Sequence, residues 1–512
     1  MIAFGSYNAL GMNFLQLLDG AEHLAQQGDP PISGLDYDSR RVKPGWCFVA
    51  MKGERTDGNR FIDAAIAAGA VAIVSDSLPP RSGIAWVQVP HGRRALARLS
   101  ANFYGRPAER LAITCITGTN GKTTTAFVLN AMLRAGGRKT ALVGTVEYRI
   151  AEETIEALHT TPEALELNQV FARAVAAGCT DVSMEVSSHA LEQQRVYGVP
   201  FDVAVFTNLT RDHLDYHKTM ENYFAAKQIL FQGSGTEPPR VGVINIEDEY
   251  GAQLAKWAKR LRERITYGLD RGDFHVKELS LSTKGTKFKL VMPGCELPIW
   301  TPLLGRVNVY NLLAAAAAAY ARNVDLEAIA TAADQMPQVP GRFQRVDAGQ
   351  PFTVIVDYAH TDDALRNLTK LGRDFLAANK STGRVLTVFG CGGDRDRTKR
   401  PLMGEAAGRG SDFVVLTSDN PRSEDPINIM NDALPGLQRS GVKYALEPDR
   451  HKAIALAIRE AQAGDIVLLA GKGHEKVQVT RDGSFPFDDI EEARKALIDA
   501  GYGQQPLDTI PS

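Results

Sequence analysis

Ile113-Thr-Cys-Ile-Thr-Gly118-Thr-Asn-Gly121-Lys122-Thr123-Thr124-Thr125 is a β-branched, apolar run that breaks into glycines and Lys-Thr-Thr. The amphipathic Ala126-Phe-Val-Leu-Asn-Ala-Met-Leu133 follows directly. That order reads as strand, phosphate-wrapping loop and helix. Gly118 and Gly121 let backbone N–H groups curl around phosphate oxygens, while the positive end of the helix faces the same anion. Lys122 adds a point charge on the β- and γ-phosphates, and Thr123 or Thr124 a hydroxyl for Mg²⁺. The commonest phosphate loop has about four residues between its first glycine and Gly-Lys. Here only Thr119 and Asn120 intervene. The stretch predicts a nucleotide site built from Gly118, Thr119, Asn120, Gly121, Lys122, Thr123 and Thr124.

A chain of 512 residues is too long for one core and divides into about three units of roughly 100–200 residues. With 44% hydrophobic and 23% charged residues it has the make-up of an ordinary globular protein. A net charge of −2 argues against a general affinity for nucleic acid or anionic membrane and leaves small molecules as the expected partners. Cys47, Cys115, Cys179, Cys295 and Cys391 show neither Cys-x-x-Cys pairs nor zinc-like His spacing, which fits reduced thiols in a cytoplasmic protein. There is no signal-peptide pattern and no run of about 18 apolar residues, so neither export nor membrane insertion is expected.

Upstream of the loop, residues 1–108 mix short strands at 46–50 and 71–74 with a helix at 64–69. The dense polar segment 36–45 reads either as a solvated turn or as a substrate-anchoring loop. Downstream, the apolar runs at 181–188, 203–210 and 241–246 each end in polar residues. Such runs, separated by helical segments, make a mainly parallel sheet with helices on both faces, and ligands collect at the carboxyl ends of its strands. Glu185, Ser187, Asn208, Asp212 and His213 are therefore expected near the loop. The alanine run 314–319 reads as a closely packed helix, with Asn308 and Asn311 just before it. After 338–342 a second pattern of strands begins, at 353–357, 384–390, 413–417 and 465–470. The expected architecture is α/β with three domains, 1–108, 109–342 and 343–512, the latter two being doubly wound, mainly parallel sheets.

Several residues point to chemistry by type and place. Glu185 and His213 supply hard-cation ligands beside the loop, whereas Asp215 and His217 read as structural. Arg395 and Arg422 lie in glycine- or proline-shaped turns where a guanidinium can be aimed at a carboxylate. Asp419-Asn-Pro-Arg422 holds an acid, an amide and an arginine in one constrained turn, a set that can take the ammonium and carboxylate of an amino acid together.

Gly118-Thr-Asn-Gly-Lys-Thr-Thr124, Met184-Glu-Val-Ser-Ser-His189, Thr207-Asn-Leu-Thr-Arg-Asp-His-Leu-Asp215, Asp357-Tyr-Ala-His360 and Gly471-Lys-Gly-His-Glu475 together resemble the Mur ligase family of cell-wall peptide synthetases, over essentially the whole chain. The resemblance implies a UDP-binding N-terminal domain, a central ATPase domain and a C-terminal domain that takes the amino acid. It implies joining of meso-diaminopimelate to UDP-MurNAc-L-Ala-D-Glu with ATP and Mg²⁺, through an acyl phosphate. By position, Asn311, Arg342, Asp357 and His360 match residues around the nucleotide. Ser39, Thr160, Thr161, Ser187, Gln193 and Arg195 match residues that hold the muramoyl-dipeptide. Arg395, Asp419, Asn420, Pro421, Arg422, Gly471 and Glu475 match the diaminopimelate pocket. Lys227 matches a lysine that becomes a carbamate and holds Mg²⁺ with Thr123, Glu185 and His213. Lys122, Lys227 and His213 are the catalytic candidates.

One departure bears on loop rigidity: Asp362 stands where the family often has proline. Rival readings are a lysine-adding relative, disfavoured by Arg422, and a folylpolyglutamate synthetase, disfavoured by the UDP-type first domain. A switch that hydrolyses ATP only to change shape would need no amino acid. A monomer is expected.

Overall fold

The computed structural model describes residues 11–53, 56–77, 83–258, 261–282, 284–378 and 381–503. Its first sheet runs Ala25–Gln27, Ala85–Gln88, Ala72–Ser75, Trp46–Ala50 and Gly34–Asp36, parallel except for the first pair. The Gly92–Phe103 helix packs on it through Leu96, Leu99 and Phe103.

The central sheet has eight strands, in the order Glu153–Glu156, Glu147–Ile150, Thr140–Val143, Asp181–Glu185, Ala112–Thr117, Phe201–Phe206, Val241–Asn245 and Glu263–Tyr267. The last six are mutually parallel, and the first two form an antiparallel edge. Asp181–Glu185 and Val241–Asn245 are buried along their whole length, as strands covered on both faces must be. On one face lie the helices Lys122–Ala135 and Arg306–Ala321, whose Val128, Leu129 and Ala314 to Ala319 share one core. On the other lie Ala164–Ala176 and Met220–Gln232. The alanines let two helices and a sheet approach closely with little side-chain entropy lost.

An antiparallel sheet of His275–Leu281, Thr286–Met292 and Cys295–Thr301 was not anticipated. Its signal is the alternation in Thr286-Lys-Phe-Lys-Leu-Val-Met292, where Phe288 and Leu290 face inward and Lys287 outward.

The third large sheet runs Gln344–Val346, Thr353–Asp357, Ile466–Ala470, Val385–Cys391, Phe413–Ser418 and Lys443–Leu446, and only its first pair is antiparallel. Asp362–Ala378, Arg400–Gly410 and Pro426–Ser440 cover one face, Arg450–Glu460 and Asp489–Asp499 the other. A hairpin, Val477–Thr480 with Gly483–Pro486, follows the last long strand. Asp362 opens its helix and pairs with Arg366 at 2.7 Å, so an acid at the positive helix end replaces proline as the starting residue.

The cysteines are free thiols, four of them buried. Among the described residues no helix is long and apolar enough to cross a membrane.

Candidate functional site

Strand Ala112–Thr117 ends at Gly118, whose φ of +149° is open to glycine. A Cβ there would meet Thr207 Oγ1 at 1.9 Å, because the neighbouring strand end presses on the loop. Thr207 Oγ1 donates to the Asn120 carbonyl (2.7 Å), and the Asn208 amide both receives from Asn120 N (2.9 Å) and donates to Asn120 O (3.1 Å). Gly121, at φ +86°, begins the Lys122–Ala135 helix directly under Asn311, whose Oδ1 a Cβ would meet at 2.3 Å. Thr119 N and Asn120 N are both taken up by Asn208, and the loop, held from both sides, borders a cavity of about 280 Å³. That cavity is lined by Thr119 to Thr124, Thr160, Glu185, Ser187, His213, Asn308, Asn311, Arg342, Asp357 and His360, among others. Burial lowers Lys122 against the opposing pull of Glu185 and Asp212, and its Nζ rests on the Gly118 and Thr119 carbonyls (3.0 and 2.9 Å).

Glu185 ends its strand in this cavity, 1% exposed. It accepts from Thr145 N (2.8 Å), Thr145 Oγ1 (3.1 Å) and Thr123 Oγ1 (3.1 Å). Arg342 Nη2 donates to Thr123 Oγ1 at 3.0 Å from beyond the central sheet, with its guanidinium over the Tyr358 ring. Desolvation at the cavity edge holds the half-exposed His213 below the usual imidazole range despite Asp212 3.3 Å away, so the neutral ring offers a lone pair. Lys227 lies behind the loop, wholly buried, donating to Gly118 O at 2.9 Å. Burial, and then the charge of Lys122, holds its amine well below the ordinary lysine range.

Hydroxyl, carboxylate and neutral imidazole on one cavity fit a Mg²⁺ that takes the rest of its shell from phosphates and water. Among the described residues no cluster of three or more His, Cys, Asp or Glu competes as an all-protein metal cage.

A second cavity, of about 360 Å³, lies at the carboxyl ends of the C-terminal strands. Its lining includes Arg395, Arg422, Asp419, Asn420, Gly471 and Glu475. Arg422, at φ +52°, donates Nη1 to Gly393 O (2.7 Å), and Arg395 donates Nη1 to Asp394 O (3.2 Å). Burial, then the charge of Arg395, weighs against the Arg422 cation. Neither arginine has a carboxylate within ion-pair distance among the described residues. Asp419 and Glu475 on the same wall supply acceptors for an ammonium.

The two cavities share Asp212, His213, Tyr358 and His360. Burial raises Asp212, but His213, His360 and Lys399 outweigh it and hold the carboxyl below its usual range. Asp215, read from sequence as structural, lines the second cavity instead, because the short Leu214–His217 helix turns it there. His217, read from sequence as structural, is buried, with Nε2 and Ser188 Oγ 2.8 Å apart. Tyr358, inside the Asp357-Tyr-Ala-His360 stretch, lines both cavities, a role that no feature of the sequence singles out.

Thr160 and Ser187 reach the first cavity. Thr161, Gln193 and Arg195 stand behind it: Thr161 Oγ1 donates to Glu185 O (3.0 Å), and Arg195 donates to Thr161 O (2.9 Å) and Gln193 Oε1 (2.7 Å). Pro421 shapes its turn without lining either cavity. Ser39 lies away from both, beside the Asp38–Arg40 ion pair.

Family models match three parts of the chain: "Mur ligase family, catalytic domain" at residues 31–104, "Mur ligase middle domain" at 116–319 and "Mur ligase, glutamate ligase domain" at 341–473. The chain is 54% identical to the UDP-N-acetylmuramoyl-L-alanyl-D-glutamate--2,6-diaminopimelate ligase of Solibacter usitatus, over 92% of this chain and 95% of that one. A solved structure of an enzyme of that name superposes with TM-score 0.68 at 35% identity, covering 96% of this chain and 100% of the other. A MurF ligase from Thermotoga maritima, solved in complex with ADP, shares the fold at TM-score 0.60 and 20% identity, covering 91% and 97%.

Proposed function

Because the chain belongs to the Mur ligase family, we propose that it joins meso-2,6-diaminopimelate to the D-Glu side-chain carboxylate of UDP-MurNAc-L-Ala-D-Glu, converting ATP to ADP and phosphate. This is a cytoplasmic step of peptidoglycan precursor synthesis, carried out by a monomer. The observation that carries it is the wall of Asp212, His213, Tyr358 and His360 common to the two cavities, one walled by the Gly118–Thr124 loop and the other by two arginines that have no carboxylate partner among the described residues.

In this reading residues 1–108 bind UDP, with Ser39 in contact, 109–342 bind ATP, and 343–512 bind the amino acid. Gly118 to Thr124 cradle the phosphates, with Lys122 on the β- and γ-oxygens, and Asn311, Arg342, Asp357 and His360 enclose the nucleotide. Thr123, Glu185, His213 and Lys227 as its carbamate are the residues that would hold Mg²⁺. When bound, Mg²⁺ neutralises phosphate charge. Thr160 and Ser187 orient the muramoyl-dipeptide, and Thr161, Gln193 and Arg195 support them.

The D-Glu carboxylate oxygen attacks the γ-phosphorus and ADP leaves. The amine of diaminopimelate then attacks the acyl carbon of the resulting acyl phosphate, and phosphate leaves with the carboxylate oxygen. The protein's share is positioning and charge neutralisation. Arg395 and Arg422 pair the distal carboxylate, which lysine lacks, so lysine would leave the half-buried Arg422 fork unmatched.

The test is a D-Glu side-chain carboxylate labelled with ¹⁸O. Transfer of one label into phosphate supports the acyl phosphate, and unlabelled phosphate alongside tripeptide product would refute it.

A further inference from the structure

Lys472 directly follows Gly471 at the end of strand Ile466–Ala470 and is wholly buried, 0% exposed. Its Nζ donates to Asn420 Oδ1 (3.2 Å), Glu475 Oε2 (3.2 Å) and Val477 O (2.6 Å), so each ammonium hydrogen has an acceptor. A buried cation is costly unless it is met in this way, and a leucine could fill the space without that cost. The three acceptors belong to three separate pieces: the Asp419–Arg422 turn, the loop after the last long strand, and the hairpin.

The consequence lies in the two side chains above it. Asn420 Oδ1 also accepts from Val479 N at 2.9 Å, so both its lone pairs face inward and the amide cannot turn over. Nδ2 is then the atom left for the cavity side, with one hydrogen on Glu475 Oε2 at 2.7 Å. Glu475 has both donors on Oε2, and its Oε1 has no hydrogen-bond partner among the described residues. Asn420 and Glu475 line the amino-acid cavity, and Lys472 does not.

We propose that Lys472 is a positioning residue for amino-acid recognition: it fixes which atoms of Asn420 and Glu475 face the cavity, so that a carboxylate oxygen is offered to the substrate ammonium and an amide N–H to its carboxylate. This rests on the ligase reading above.

The test uses the full chain and steady-state KM values for meso-diaminopimelate, ATP and UDP-MurNAc-L-Ala-D-Glu. In Lys472→Met the KM for meso-diaminopimelate rises on the order of tenfold or more, the size expected when buried polar partners are left unmatched, and the other two stay within about twofold. In a Glu475→Gln background the same change has a smaller effect, because the two act through one contact. Should Lys472→Met not fold, Lys472→Gln, which keeps a donor in place, shows the same selective rise to a lesser degree.

An unchanged KM for meso-diaminopimelate, a parallel rise in all three, additive effects with Glu475→Gln, or failure of both variants to fold would overturn the inference. Native protein with no turnover dependent on meso-diaminopimelate would instead bring down the ligase reading beneath it.

Discussion

Lys227 Nζ donates to the Gly118 carbonyl at 2.9 Å from a fully buried position, placing an amine directly beneath the loop that faces the nucleotide cavity. Burial and Lys122 hold that amine well below the ordinary lysine range, and the neutral amine is the form that adds to carbon dioxide. With ¹³C-bicarbonate, the native protein is expected to show a protein-bound carbamate carbon resonance that Lys227→Met lacks. The variant's kcat should fall on the order of 10²-fold, as when one preorganised charge is removed from a reacting phosphate. A variant with native kcat would remove Lys227 from the mechanism.

Gly144 lies against Glu185, and a Cβ there would stand 2.4 Å from Glu185 Oε1. Gly144→Ala must therefore displace a carboxylate that holds Thr123 and Thr145 in place. The expected outcome is a Mg²⁺ requirement raised about tenfold with thermal unfolding lowered by only a few degrees, read from Mg²⁺ titrations of activity and a melting curve.

Among the described residues the loop is tied to distant segments by Arg342 Nη2 on Thr123 Oγ1 and by Asn120 Nδ2 on Asp363 Oδ2, each at 3.0 Å. Arg342→Ala removes a charge from the nucleotide cavity, and kcat/KM for ATP is expected to fall about 10- to 100-fold. Asp363→Ala, which removes the acceptor shared by Asn120 and Asn367 and a 4.0 Å pairing with Arg366 but no group of the cavity wall, should cost less than about tenfold.

His474 is held down to about 3 by burial and then by the charge of Arg342, whereas the unfolded chain titrates near 6.5. Between those values the unfolded state binds the extra proton, so the stability tied to this group is complete above about pH 6.5 and is lost as pH falls toward 3. His474→Asn should narrow the drop in urea midpoint between about pH 7.5 and about pH 5. An unchanged drop would show that other groups set the acid limit.

The parallel cores were legible because buried strands leave unbroken β-branched runs, and because the residues after Thr117, Glu185, Asp357 and Ser418 had to collect at strand ends. The facing of individual side chains was not legible. Thr160 and Thr161 are adjacent, yet Thr160 reaches the cavity while Thr161 turns inward to Glu185 O, a choice made by the packing around them. Asp215 reads as structural in the sequence, and a helix as short as Leu214–His217 leaves no periodic signal to show which way it faces. Arg342 could not be connected to Thr123 by any local pattern, since 219 residues separate them.

The most direct test measures ADP release with UDP-MurNAc-L-Ala-D-Glu present and meso-diaminopimelate, L-lysine or no amino acid added, for the native chain and Arg422→Ala. Turnover confined to meso-diaminopimelate, and lost on the order of 10²-fold or more in the variant, is the predicted result. Turnover with L-lysine at a similar rate would contradict the specificity assigned to Arg422, and turnover indifferent to any amino acid would contradict the ligase itself.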